Sequence, residues 1–120
     1  MNDELARAAA VLNAADEVAI TCHVNPDADA LGSMLGLSAA LRARGARTIC
    51  SFPNEPLEPP RWASMLPGAN ELVEVSAFPE APAVMVTCDC GSFDRLAGLG
   101  AAANRADELI WIDHHRSNDG

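Results

Sequence analysis

The stretch Val18-Ala-Ile-Thr-Cys22 constrains this chain more than any other. It lacks the polar–apolar alternation of a half-exposed strand. It therefore reads as a strand covered on both faces, the pattern of an interior strand in a parallel sheet. A helix pattern follows from Ala28 to Arg44, with Leu31, Leu35 and Leu41 on its core side. Arg42 and Arg44 suit its C-terminal turn, and Gly45 suits the position just beyond it. Three further apolar runs follow: Arg47 to Phe52, Ala83 to Asp89 and Glu108 to Asp113. An amphipathic helix is expected over Asp3 to Ala15, with Leu5, Ala9 and Leu12 on one face. A broadly helical segment is expected over Asp94 to Ala106, weakened by Gly98 and Gly100. Strands and helices alternate without hairpin signals, which predicts an α/β fold with a mostly parallel β-sheet flanked by helices.

The remaining segments are connections. Pro53 to Pro60 carries four of the eight prolines and must be irregular. Arg61 to Leu66 reads as a short helical turn, and Glu71 to Val75 as a short edge strand. Gly32 and Gly36 lie four apart on the second helix, so a close backbone or ligand approach is expected there. The 120 residues suit one domain, and 49% hydrophobic content supports a real core. No run is long enough to span a bilayer, and the N-terminus lacks the basic and apolar zones of a signal peptide. A cytoplasmic protein with no membrane contact is expected. The net charge of −9 argues against a generic nucleic-acid surface. Cys22, Cys50, Cys88 and Cys90 sit in or beside apolar strand patterns and read as reduced core thiols.

The chemistry is concentrated at strand ends. His23 to Ser33, HVNPDADALGS, places one imidazole and two carboxylates, Asp27 and Asp29, in the turn after the first strand. Asp89 closes another apolar run, and Asp113-His114-His115 closes the last. A single strand-end aspartate is commonly a helix cap or a turn residue. Three such groups have a joint meaning, because open parallel sheets bind ligands outside the carboxyl ends of their strands. Oxygen and imidazole donors suit a hard or borderline dication such as Mn²⁺, Mg²⁺ or Zn²⁺. The set holds more ligands than one tetrahedral site needs, so two metals fit better than one, with Asp89 as the bridge. Two dications about 4 Å apart would ready a water for in-line attack on phosphorus and offset the acidic composition.

The three segments HVNPDADALGS, DCGSFDRLAG and DHHRSN together resemble the signature of the DHH phosphoesterase superfamily. The spacing, and the Ser-Asn after Arg116, are most similar to the bacterial branch of oligoribonucleases and 3′-phosphoadenosine-5′-phosphate (pAp) phosphatases. The resemblance implies a Rossmann-like DHH domain over residues 1–120. It implies that His23 and Asp27 hold one metal, Asp29 and His114 the other, and that Asp89 bridges both. It further implies that Asp113 orients the site and that His115 contacts the scissile phosphate. Ser33, Ser92 and Arg95 match motif positions and are expected to support the site or contact substrate. The implied cofactors are two divalent ions, Mn²⁺ foremost, with Mg²⁺, Co²⁺ or Zn²⁺ as alternatives. The implied substrate is a short oligoribonucleotide or a nucleotide; a homodimer is one assembly the sequence allows.

Members of the family also carry a fourth acidic motif downstream and a C-terminal substrate-binding domain. Neither lies in these 120 residues. The chain is therefore expected to be the N-terminal part of a longer enzyme and nearly inactive alone. Two kinds of rival reading stay open. One is another activity of the superfamily, on cyclic di-adenylate, pyrophosphate or polyphosphate. The other is a non-catalytic module that binds nucleotide or metal, although no GxxxxGK[ST] or GxGxxG loop is present.

Overall fold

The structure is a computed structural model that describes residues 3–54, 56–88 and 93–112. Helix α1 (Asp3–Ala14) leads into strand β1 (Glu17–Cys22), helix α2 (Ala28–Ala43) and strand β2 (Arg47–Cys50). A long connection with three short 3₁₀ turns then reaches β3 (Val84–Cys88). A 3₁₀ segment, Phe93–Leu99, and helix α3 (Gly100–Arg105) precede β4 (Glu108–Ile112). The four strands form one sheet in the order β2-β1-β3-β4, and every pairing is parallel.

The absence of alternation in β1 and β3 now has its cause. Val18, Ile20 and Cys22 of β1, with Val84, Val86 and Cys88 of β3, pack with Leu31, Met34 and Leu41 of α2. Val11 and Leu12 of α1 join the same cluster. Ala19 and Met85 belong to a second cluster with Leu96, Leu99, Ala102, Ala103 and Phe78. A fully buried Val, Leu, Ile or Met side chain contributes about 1.5–3 kcal/mol. Exposed ion pairs such as Arg7–Glu108 (3.1 Å) typically contribute roughly 0–1 kcal/mol, so the two apolar layers hold the sheet together.

Helix α2 ends as its sequence demands. Gly45 has φ 102°, Gly45 N donates to Arg42 O (2.9 Å), and Ala46 N donates to Leu41 O (3.0 Å). This is a Schellman ending, which satisfies carbonyls that the helix leaves open. Arg44 Nη2 reaches back to donate to Ala15 O (2.9 Å), joining the end of α2 to the chain just past α1.

Four expectations need correction. The apolar stripe of α1 runs through Val11, Leu12 and Ala15, whereas Leu5 is 59% exposed and Ala9 is exposed. No strand forms over Glu71 to Val75, where 3₁₀ turns Ala69–Glu71 and Val75–Ala77 flank a single backbone contact, Val73 N to Cys50 O (2.9 Å). The connection therefore covers the β2 edge rather than extending the ladder. The segment over Asp94 to Ala106 divides, with a break at Ala97 (φ 44°, ψ −119°). Leu96 and Leu99 are both buried, and a three-residue period puts both on one side. The fourth is confined to the backbone approach expected at Gly32 and Gly36: a Cβ built at either meets nothing within 4 Å, so no described segment approaches them closely.

Candidate functional site

The first ligand-rich turn begins where β1 ends. His23 is buried, 8% exposed, and its Nδ1 lies 2.7 Å from Val24 O. A carbonyl can only accept, so Nδ1 carries a proton, and in the neutral ring Nε2 is then the nitrogen with the lone pair. That tautomer is the one a metal needs from Nε2. Asn25 then takes a left-handed conformation (φ 54°), and Pro26 is buried behind it.

Asp27 is the N-cap of α2, with extended backbone (φ −89°, ψ −177°). Its Oδ1 accepts from Ala30 N (2.9 Å), and its backbone carbonyl accepts from Leu31 N (3.1 Å). One carboxylate oxygen is thus occupied by capping, while Oδ2 has no hydrogen bond in that cap. The structural and ligand readings of Asp27 are compatible, because the cap fixes the rotamer in which Oδ2 is presented. Asp29 lies exposed in the first turn, and Ser33 lies exposed one turn further along. Positions four apart share a helix face. The open N–H groups and the dipole of this 16-residue helix favour negative charge at its start, where both carboxylates sit.

The sheet register supplies the rest of the geometry. Cys22 of β1 pairs with Cys88 of β3, and Cys88 pairs with Ile112 of β4. Adjacent strands lie about 4.8 Å apart. Cys88, to which Asp89 is bonded, is therefore one strand spacing from Cys22. Ile112, to which Asp113 is bonded, is two spacings away. The order β2-β1-β3-β4 reverses direction between β1 and β3, which makes their carboxyl ends the switch point where open α/β sheets bind ligands.

His23, Asp27 and Asp29 all lie between the end of β1 and the first turn of α2. Asp89, Ser92, Asp113, His114 and His115 lie outside the described residues, as does the side chain of Arg95. Among the described residues no group of three or more His, Cys, Asp or Glu side chains is arranged to hold a metal ion. A cavity of about 140 Å³ lies elsewhere, lined by Leu35, Ser38, Arg42, Cys50 and Glu71 among others, and no motif residue borders it. Burial pushes the Cys50 thiol above its ordinary pKa, which makes it a poor nucleophile. Among the described residues no helix is long and apolar enough to cross a membrane.

Sequence reasoning missed one contributor. Asn25 N donates to Asn54 Oδ1 (2.8 Å), and Asn54 Nδ2 donates to Asn25 Oδ1 (2.7 Å). The Asn25-Pro26 dipeptide is a turn signal. Nothing in the local pattern marks Asn54, because its partner is 29 positions away.

The sequence profile described as "DHH family, N-terminal domain" matches residues 17–120, from the first residue of β1 onward. The chain belongs to the DHH family. It is 35% identical over 100 residues to the bifunctional oligoribonuclease and PAP phosphatase NrnA of Thermus thermophilus, covering 82% of this chain and 28% of that protein. It is 29% identical over 107 residues to an uncharacterized protein of Methanocaldococcus jannaschii, covering 87% of this chain and 31% of that one. In fold it is similar to the crystal structure of an exopolyphosphatase-related protein from Bacteroides fragilis. That match has a TM-score of 0.82 at 24% identity and covers 94% of this chain and 35% of the other. The chain thus spans about a third or less of the curated relatives it matches.

Proposed function

We propose that this DHH chain is the metal-binding domain of a phosphoesterase that hydrolyses short oligoribonucleotides, pAp or both. The observation that carries the reading is the register. It sets Cys22, Cys88 and Ile112 side by side, and each is followed at once by a motif residue. The 35% identity to a protein named as an oligoribonuclease and PAP phosphatase supports the substrate class.

The described donors are of the types a divalent ion takes: the His23 imidazole, the Asp27 carboxylate oxygen left outside the cap, and the exposed Asp29 carboxylate. They form no metal-holding group by themselves, so the reading needs the motif residues after β3 and β4 as well. Imidazole and carboxylate together suit a hard or borderline dication; the family resemblance favours Mn²⁺, with Mg²⁺, Co²⁺ or Zn²⁺ as alternatives. In this reading His23 and Asp27 would hold one ion, Asp29 and His114 would hold a second, and Asp89 would contribute to both. When bound, such ions polarise phosphoryl oxygens and lower the pKa of a water. The protein's own part is to hold these donors in place. Val24 O orients the His23 ring, Ala30 N fixes the Asp27 carboxylate, and the α2 N-terminus balances the negative charge. His115 is assigned to the scissile phosphate and Asp113 to orienting the site, with Ser33, Ser92 and Arg95 in supporting positions. No basic groove for a long single strand is apparent from the sequence, where 17 acidic residues outnumber 8 basic ones.

The test uses the product of the full reading frame that contains this chain. Hydrolysis of a 5′-phosphorylated diribonucleotide, pAp, a linear di-adenylate and pyrophosphate is compared in Mn²⁺. The expected result is turnover of the dinucleotide or pAp, and loss of nearly all of it in Asp89→Ala. Wild-type turnover by that variant refutes the site, and cleavage of pyrophosphate alone refutes the substrate class.

A further inference from the structure

We propose that Asn54 is a positioning residue for the metal site, acting through Asn25 on the turn that joins His23 to Asp27. The inference rests on the phosphoesterase reading above. Asn25 lies two residues after His23 and two before Asp27, so its backbone angles set the imidazole relative to the carboxylate. Its φ of 54° is left-handed, a region that asparagine tolerates better than most residues but does not favour.

Two reciprocal hydrogen bonds hold it there. The Asn25 backbone N–H donates to Asn54 Oδ1 at 2.8 Å, and Asn54 Nδ2 donates to Asn25 Oδ1 at 2.7 Å. One amide group supplies both an acceptor and a donor. Aspartate at position 54 would lose the donor and set a carboxylate against Asn25 Oδ1; leucine would lose both bonds.

Asn54 can act as a fixed point because it is tied to the core. Its N–H donates to Phe52 O (2.8 Å), and Phe52 is 1% exposed. One residue earlier, Ser51 N donates to Ile20 O (3.2 Å), and Ser51 Oγ donates to Val73 O (2.6 Å). The path therefore runs from the β1–β2 pair through Ser51 and Phe52 to Asn54, across to Asn25, and so to His23 and Asp27. The cap of Asp27 fixes the far end of the same turn. With both ends fixed, loss of the middle contact lets Asn25 leave its left-handed well and misaligns the two donors.

The experiment is calorimetric titration with MnCl₂ of the product of the full reading frame that contains this chain, for wild type, Asn54→Leu, Asn54→Asp, Asn25→Gly and Asn25→Asp. Thermal unfolding in EDTA and hydrogen exchange of the Asn25 amide are measured on the same samples. Removing a group that orients a metal ligand typically weakens binding about 10–100-fold. Asn54→Leu should weaken Mn²⁺ binding within that range and speed exchange of the Asn25 amide, with little change in the metal-free melting temperature. Asn25→Asp keeps both bonds and should bind Mn²⁺ at least as tightly as wild type. Asn25→Gly accepts φ 54°, keeps the backbone bond and loses only the side-chain one, so its loss should be smaller than that of Asn54→Leu. Wild-type affinity in Asn54→Leu overturns the inference. If that variant fails to fold, wild-type affinity in both Asn54→Asp and Asn25→Gly overturns it equally. A wild-type chain that takes up no Mn²⁺ overturns the metal reading itself, and this inference with it.

Discussion

Asp27 is assigned two roles that substitution can separate. As N-cap, its Oδ1 accepts from Ala30 N at 2.9 Å and satisfies one of the open donors of α2. Loss of such a cap to alanine costs about 1 kcal/mol, within a range of about 0.5–2. For a chain between the small and mid-sized classes, 1 kcal/mol lowers the melting temperature by roughly 4 °C. Asparagine caps about as well as aspartate, and forfeits only the charge–dipole part, about 0.3–1 kcal/mol. It also removes the anionic oxygen on which the proposed metal site depends. Asp27→Ala should therefore lower both metal-free stability and Mn²⁺ affinity. Asp27→Asn should recover most of the stability and none of the affinity. The assays are thermal unfolding in EDTA and calorimetric Mn²⁺ titration on the same preparations. Wild-type Mn²⁺ affinity in Asp27→Asn would remove Asp27 from the ligand set. An unchanged melting temperature in Asp27→Ala would show that the cap bond contributes nothing.

Three further outcomes concern the scaffold. Burial first, and Glu71 to a lesser degree, raise the Cys50 thiol above its ordinary pKa of 9.0, while Ser38 and Arg42 act the other way. The unfolded thiol therefore ionises first; this contribution to stability is complete below about pH 9 and is lost as pH rises through the raised folded value. Urea unfolding at pH 7 and pH 10 should show a smaller loss in Cys50→Ala than in wild type, and an equal loss would be a refutation. Gly45→Ala places a Cβ at φ 102° and should cost about 1–2 kcal/mol, read as a lower urea midpoint with unchanged slope. Thr87 Oγ1 is buried without a hydrogen-bond partner among the described residues, so Thr87→Val should leave stability unchanged or raise it by up to about 1–3 kcal/mol in thermal unfolding.

The parts of the fold that were legible in the sequence are those where one physical rule acts alone. β1 and β3 read as two-faced strands because every position except Glu17 is buried. Gly45 was readable because few other residues accept φ 102°. Competing rules hid the rest. The Glu71 to Val75 stretch has strand-forming residues, but only Val73 meets the β2 edge through its backbone N–H. Leu5 obeys the α1 periodicity yet remains exposed, because periodicity marks a face and does not say how far the sheet extends beneath it. In the candidate site, residue types and turn chemistry pointed to His23, Asp27 and Asp29. Asn54 was invisible, since its meaning comes from a contact across 29 positions.

The order of the strands is the step on which the proposed chemistry depends most. Motif residues after the first, third and fourth strands could have been separated by other topologies. Had the sheet run β1-β2-β3, the ends of β1 and β3 would lie two spacings apart, about 10 Å. Asp89 would then start one spacing farther from His23 and Asp27, with which it is proposed to share an ion. The observed order places β1 between β2 and β3, which reduces that gap to one spacing. The same crossover puts the long connection after β2 beside the β1–α2 turn, where Asn54 meets Asn25. The sheet thus brings the ends of β1 and β3 together, and the connection that makes this order possible also braces the turn carrying His23, Asp27 and Asp29.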